Sequence, residues 1–190
     1  MTMTHPEGLP PQAKPVYKGE VWEIWRWEQE MYDGSTGIYE RAKRADSVTI
    51  IPVVGDRILV LHQEQPFRGK FISLPGGFQE EEEPLKAAQR ELLEETGFAS
   101  DDWDLYLVCS PGGSKMEWKN YFYVARNCRA MQEPTPDPGE KISLEWVSFD
   151  EFLALADNAL WRHPDFIPTM LRARYEQKRY HELKEALFGE

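Results

Sequence analysis

Apolar and polar residues alternate from Val21 to Tyr32, a period of two that predicts a strand. Asp33-Gly34 then marks a turn, after which Ile38 to Ala42 can return beside it. Ser47 to Val54 and Arg57 to Glu64 are β-rich runs split by Gly55-Asp56, a second hairpin, and Phe71 to Leu74 reads as a short strand. The period then changes. Leu85, Ala88, Leu92 and Thr96 recur at helical spacing, Pro84 suits a first turn, and Gly97 suits the residue just past a helix end. Beyond it, Trp103 to Cys109 and Tyr121 to Ala125 predict strands around a glycine-rich loop. Leu144 to Val147 predicts another strand, and Phe149 to Ala156 a second helix. Ile167, Met170, Leu171, Tyr175, Leu183 and Leu187 predict one long amphipathic helix. Strands interleaved with two or three helices predict an α+β fold, a mixed sheet with helices on both faces.

The polar side of the helix at 84–97 changes this from a packing pattern into a chemical one. Glu91 stands three residues before Glu94 and four before Glu95, so the three carboxylates project from one side. Like charges so placed cost a few tenths of a kcal/mol per pair and give the fold nothing in return. A positive partner is expected there, and hard divalent cations bound through oxygen suit it.

Composition narrows the partners. The formal net charge of −11 and a pI near 4.9 argue against nucleic acid or an anionic membrane as partner. An acidic protein still binds phosphate esters when metal ions supply local positive charge. Cys109 and Cys128 are the two cysteines, with no C-x-x-C pair, and read as inert thiols of a reducing compartment. No apolar run approaches the length that spans a bilayer. The opening MTMTHPEGLPPQAKP has no apolar targeting core, so residues 1–16 read as a mobile tail and the chain as cytoplasmic. Residues 17–44 then form an N-terminal β arm, and 45–190 the main domain with its C-terminal helical extension. Of seven tryptophans, Trp22, Trp25 and Trp27 stand in the arm. The histidines (His5, His62, His163, His181) lack any pattern for nucleophilic or metal work and read as tail, surface or packing residues.

The order of residues from Gly76 to Phe98 resembles the signature of the Nudix hydrolases, G-x5-E-x7-R-E-U-x-E-E-x-G-U. Gly76, Glu82, Arg90, Glu91, Leu92, Glu94, Glu95, Gly97 and Phe98 fill all its specified positions. The resemblance implies an α/β/α sandwich with the signature helix docked on the sheet. It implies Mg2+ or Mn2+ held by Glu91 and Glu95, with Glu94 as a further ligand or the orienter of a water and the Gly76 carbonyl as another ligand. Such a site hydrolyses a diphosphate, because the cations neutralise it and lower the pKa of a bound water. Glu82 and Arg90 read as a salt bridge setting the turn against the helix rather than as chemistry. A late loop acid is also implied. Glu140, in the Pro- and Gly-rich segment before Lys141-Ile142, is the candidate general base or extra ligand, with Asp137 and a box glutamate as alternatives.

Within that family the loop Ser110-Pro111-Gly112-Gly113-Ser114 looks like that of the ADP-ribose pyrophosphatases, with Pro111 fourteen residues beyond Gly97 rather than the usual sixteen. Tyr39-Glu40-Arg41, Asp46 to Val53, and Leu61 to Arg68 also resemble that subgroup, with Gln65 where an arginine is expected. The resemblance implies hydrolysis of ADP-ribose or a related nucleoside diphosphate sugar to AMP and a sugar phosphate. It further implies a homodimer joined through the β arm, with Trp25, Arg41 and Arg44 beside the loop as candidate substrate contacts. A triphosphate-cleaving member of the family and a catalytically silent nucleotide sensor are the alternatives.

Overall fold

The computed structural model describes residues 8–66 and 68–189. In chain order the strands are β1 (Lys14–Lys18), β2 (Glu23–Glu30), β3 (Thr36–Lys43), β4 (Ser47–Val54), β5 (Arg57–Gln65) and β6 (Gly69–Ser73). Helix α1 (Pro84–Thr96) follows, then β7 (Phe98–Ala99), β8 (Asp102–Cys109), β9 (Met116–Glu117), β10 (Asn120–Arg126), β11 (Arg129–Ala130) and β12 (Lys141–Ser148). The chain closes with α2 (Phe149–Ala154), α3 (Ile167–Tyr175) and α4 (Gln177–Phe188). These elements form two compact units, one from the chain up to Asp46 with Ser110–Lys119, the other from Ser47–Cys109 with Asn120 onward.

The first unit is a sheet in the order β1-β2-β3-β9. Alternation along β2 puts Trp25 and Trp27 on one side, where Leu9 and Ala13 bury them. Residues 8–16 therefore depart from the expected tail: two of them cover tryptophans, and Lys14–Lys18 pairs with β2. Residues 1–7, His5 included, lie outside the described residues.

In the second unit the sheet runs β12-β5-β4-β10-β8, with β6 along β5. It is mixed: β4 and β10 are parallel and the other pairs antiparallel. Strand β4 is buried on both faces, and helices explain why. Ile51, Val53, Phe122 and Val124 pack toward α2, α3 and α4, while Val48, Ile50, Tyr123 and Ala125 pack toward Ala87, Ala88 and Leu92 of α1. This is the α+β sandwich, helices on both faces of a mixed sheet, that the alternation and the helical spacing predict.

The C-terminal segment differs from expectation. It is two helices, broken at Glu176, whose backbone is extended at φ −120° and ψ 107°. On one continuous helix the buried pairs Met170/Ala173 and Leu183/Leu187 would face directions about a quarter turn apart. The break lets both reach the same core. Arg126 fastens α4: its Nε donates to the Leu187 carbonyl at 3.1 Å and its Nη2 to that of Ala186 at 2.5 Å, while Nη1 reaches Asp104 at 2.7 Å. Arg126→Ala leaves these helix-end carbonyls without their charged donor and is expected to cost about 2 kcal/mol. A shift in the urea midpoint, with faster amide exchange in α4, checks this.

His163 also has a definite place. Its Nε2 accepts the Leu74 N–H at 2.8 Å, and its ring lies against Trp161 and Phe122. Burial holds the imidazole pKa down at about 4, and the Leu74 N–H, which needs the free Nε2 lone pair, favours the same neutral form. The unfolded chain therefore binds a proton that the native state refuses between about pH 6.5 and 4. The stabilisation is complete above pH 6.5 and is lost as the pH falls, by up to roughly 3 kcal/mol. Urea midpoints of wild type and His163→Gln at pH 7, 5.5 and 4.5 measure it, and the difference between the two proteins is expected to shrink toward low pH.

Candidate active site

The turn after β6 presents its backbone to helix α1. The carbonyls of Pro75 and Gly77 accept from Ile50 and Val48 of β4 at 2.8 and 2.9 Å. Backbone alternation then turns Gly76 the other way, and its N–H donates to Glu95 Oε2 at 2.7 Å. A side chain would crowd different neighbours at the two glycines, backbone at Gly76 and a side-chain end at Gly77. A Cβ on Gly76 would meet the Val48 carbonyl oxygen at 2.2 Å, and one on Gly77 would meet the Glu91 carboxylate at 2.3–2.7 Å.

Helix α1 starts at Pro84 with Glu83 as N-cap and ends at Gly97, whose φ of 73° suits glycine. The Gly97 carbonyl accepts from Met131 and Gln132, and Thr135 N–H donates to the Glu94 carbonyl at 2.7 Å. The segment that carries Glu140 is thus tied at its start to the end of the signature helix.

On the helix, Glu95 is buried and Glu91 and Glu94 are partly so. Arg90 gathers its neighbours. Its Nε and Nη2 donate to Glu82 at 3.1 and 2.9 Å, Nη2 also to the Phe78 carbonyl, and Nη1 to Glu91 at 2.8 Å and Glu94 at 3.0 Å. Burial opposes the Arg90 charge, but the Glu82 and Glu91 bonds outweigh it and hold the guanidinium more firmly protonated than usual. Burial pushes the Glu91 carboxyl up despite Arg90, with Glu94 and Glu140 adding to the rise. Burial pushes Glu95 up to about 8, against the Gly76 N–H, with Glu91 and Glu140 again adding. Glu140 is raised by burial, opposed by its bond to Gln65 and reinforced by Asp137. Carboxylates from the helix and from the loop before β12 therefore feel one another as like charges.

Among the described residues no three His, Cys, Asp or Glu side chains stand in a closed metal-binding group. The donor chemistry suits a hard divalent ion, because Glu91, Glu95 and Glu140 are carboxylates that raise one another as like charges.

Two glutamines of β5, in the Leu61–Arg68 segment and outside the helix signature, reach this site. Gln63 Nε2 donates to Ser73 Oγ at 3.0 Å and Glu95 Oε1 at 3.4 Å, and Gln65 Nε2 donates to Glu140 Oε1 at 2.5 Å. The available signal was two polar residues in step with Leu61 on the inward side of an otherwise apolar strand.

The other predicted residues belong to the first unit. Trp25 is a correction: only 3% exposed and packed with Leu9, Ala13 and Trp27, its ring is core and offers no face for stacking a nucleotide. Arg41 Nη1 donates to the Gly8 carbonyl and to Glu117, both at 3.0 Å. Arg44 lies over the Trp118 ring at 4.4 Å. In the loop from Ser110 through Pro111, Gly112 is buried against Met116 and Trp118, and Gly113 is exposed with a φ of 59°.

Comparison with known proteins agrees with this fold. The chain is 24% identical over 148 residues to a methanol dehydrogenase activator of Bacillus methanolicus, covering 75% of this chain and 79% of the relative. A crystal structure of an ADP compounds hydrolase superimposes with a TM-score of 0.72 at 20% identity, over 88% of this chain and 92% of the other, a likeness of fold. No helix among the described residues is long and apolar enough to cross a membrane. The NUDIX domain model matches residues 43–170, well over half of the chain, and the chain therefore belongs to the NUDIX domain family.

Proposed function

We propose that this protein is a divalent-metal-dependent hydrolase that cleaves the diphosphate of ADP-ribose or a related nucleoside diphosphate sugar, giving AMP and a sugar phosphate. What supports the reading is that Glu95 is tied to the Gly76 turn and that Glu91, Glu95 and the loop carboxylate Glu140 act on one another as like charges. Mg2+ or Mn2+, when bound, supplies the charge that neutralises the diphosphate and acidifies a water.

The chain's own residues do the rest. Glu91 and Glu95 bind the cation, and Glu94 either joins them or orients the water. Glu140 takes the water proton, a role that suits it better than Asp137, because Glu140 is partly buried and hydrogen-bonded to Gln65 whereas Asp137 is exposed. The water oxygen bonds to one phosphorus as the bond from that phosphorus to the bridging oxygen breaks, and the departing phosphate carries away the bridging oxygen. Arg90, held by Glu82, fixes the helix glutamates from behind. Arg41, Arg44 and the Ser110–Gly113 loop are the proposed substrate contacts, and a cytoplasmic homodimer is the proposed assembly.

The likeness to a dehydrogenase activator supports a second reading, a nucleotide-binding regulator of a partner enzyme. A panel of ADP-ribose, ADP-glucose, NADH, diadenosine phosphates and dNTPs, assayed with Mg2+ or Mn2+, separates the two. Metal-dependent release of AMP and ribose 5-phosphate supports the hydrolase. Preferred cleavage of a dNTP keeps the chemistry but moves the substrate. Binding of ADP-ribose without turnover of any compound supports the regulator.

A further inference from the structure

Strand β5 is flanked on both sides, by β12 and by β6, so its side chains stand on a fixed platform. Residues two apart on a strand share a face, which sets Gln63 and Gln65 side by side. The β12 ladder pairs Lys141 with Glu64 and Ile142 with Gln63, and its continuation brings Glu140 opposite Gln65. Glu140 thus reaches the site through strand register as much as through its loop.

The two amides use their groups in one consistent arrangement. Gln65 gives one N–H to Glu140 Oε1 at 2.5 Å and the other to Gln63 Oε1 at 3.4 Å. Gln63 gives its own to Ser73 Oγ and Glu95 Oε1. Turning the Gln65 amide over would set its oxygen against a carboxylate oxygen, so the network itself fixes the orientation. The result is a continuous path of hydrogen bonds, Glu140–Gln65–Gln63–Glu95, from the loop before β12 to the signature helix. Each neutral amide holds one carboxylate by donation, Gln65 that of Glu140 and Gln63 that of Glu95. An arginine or lysine there would instead neutralise the charge that attracts a cation.

We infer that Gln65, supported by Gln63, is a positioning residue that holds the Glu140 carboxylate beside Glu95 by a bridge of two uncharged amides. The inference rests on the hydrolase reading for its effect on turnover, but the bridge has a structural consequence that can be tested without turnover.

The test is Gln65→Met, of similar length without donors, in the wild-type and Glu140→Gln backgrounds. In the wild-type background kcat for ADP-ribose with Mg2+ should fall about 10- to 100-fold, the usual cost of losing a supporting contact, with KM unchanged within about threefold. In the Glu140→Gln background the same change should have no further effect, because the group it positions is gone. Independently, amide hydrogen exchange at Glu140 and Lys141 should quicken at least about tenfold in Gln65→Met, while β10 in the core stays protected. Equal losses in both backgrounds, or unchanged exchange at Glu140 and Lys141, would overturn the inference. Should the wild type cleave no diphosphate, the hydrolase reading fails and the exchange experiment alone decides whether the bridge holds the loop.

Discussion

Glu95→Gln is expected to lower kcat for metal-dependent diphosphate cleavage by at least about a hundredfold while leaving the protein folded. The two halves of that expectation have different causes. Glu95 is the residue on which the turn, the helix and strand β5 meet: it accepts the Gly76 N–H at 2.7 Å and faces Gln63 at 3.4 Å. A glutamine keeps an oxygen for Gly76 and preserves the shape of the side chain, so the turn stays docked, at the loss of the long 3.4 Å contact from Gln63, whose NH2 then faces another NH2. It removes the charge, and the charge is the part a divalent ion needs. Because Glu95 is only 6% exposed, burial disfavours its ionised form, and a neutral amide escapes that penalty. The thermal midpoint is therefore expected to stay level or rise. Differential scanning calorimetry together with Mn2+ binding checks both halves. Retained cleavage in the variant would remove Glu95 from the metal site, and a large drop in the midpoint would make it a structural residue instead.

Adjacent glycines are expected to fail in opposite ways. On Gly77 a Cβ would fall 2.3–2.7 Å from the Glu91 carboxylate, the mobile end of a side chain that can swing aside. Gly77→Ala is therefore expected to lose activity about 10- to 100-fold by displacing Glu91, with little change in stability. On Gly76 the Cβ would fall 2.2 Å from the carbonyl oxygen of Val48, in the backbone of a buried strand. Nothing there can yield without moving β4, which carries the core on both its faces. Gly76→Ala is expected to destabilise by about 2 kcal/mol or more. Paired urea titrations and kinetic assays separate the two variants. Similar behaviour in both would mean that the turn relaxes as a unit.

Arg90 shows how the same charges serve packing and chemistry. One guanidinium binds Glu82 in the turn and Glu91 and Glu94 on the helix, so the signature arginine both closes the turn and supplies the counter-charge of two prospective metal ligands.

Local patterns were enough for much of this protein. A β-rich run marked Ser47–Val54 to the residue, and Pro84 and Gly97 bounded the signature helix, because strand propensity, helix period and capping are set by nearest neighbours along the chain. The grouping of Glu91, Glu94 and Glu95 was equally legible, since helical spacing alone puts them on one side. What lies between segments was not legible. A single break at Glu176 turned one amphipathic stripe into two helices, because the core already built by the sheet sets the direction each buried residue must face. The arm tryptophans suit a core, an interface or a ligand contact equally well by sequence, and for Trp25 the covering residues Leu9 and Ala13 decide for the core. His163 appeared partnerless because the Leu74 N–H it accepts is 89 residues away in the chain.

The sequence by itself determined which residues carry charge, which faces they share, and therefore that oxygen-rich chemistry sits on one side of the signature helix, toward its C-terminal end. Only the tertiary structure decided that Gly76 would hold Glu95, that Gly77 would make room for Glu91, and that strand register would set Glu140 against Gln65. The physical reason is one of range: periodicity and capping act over a few residues, whereas a carboxylate is held by partners that only the pairing of distant strands brings within hydrogen-bond reach.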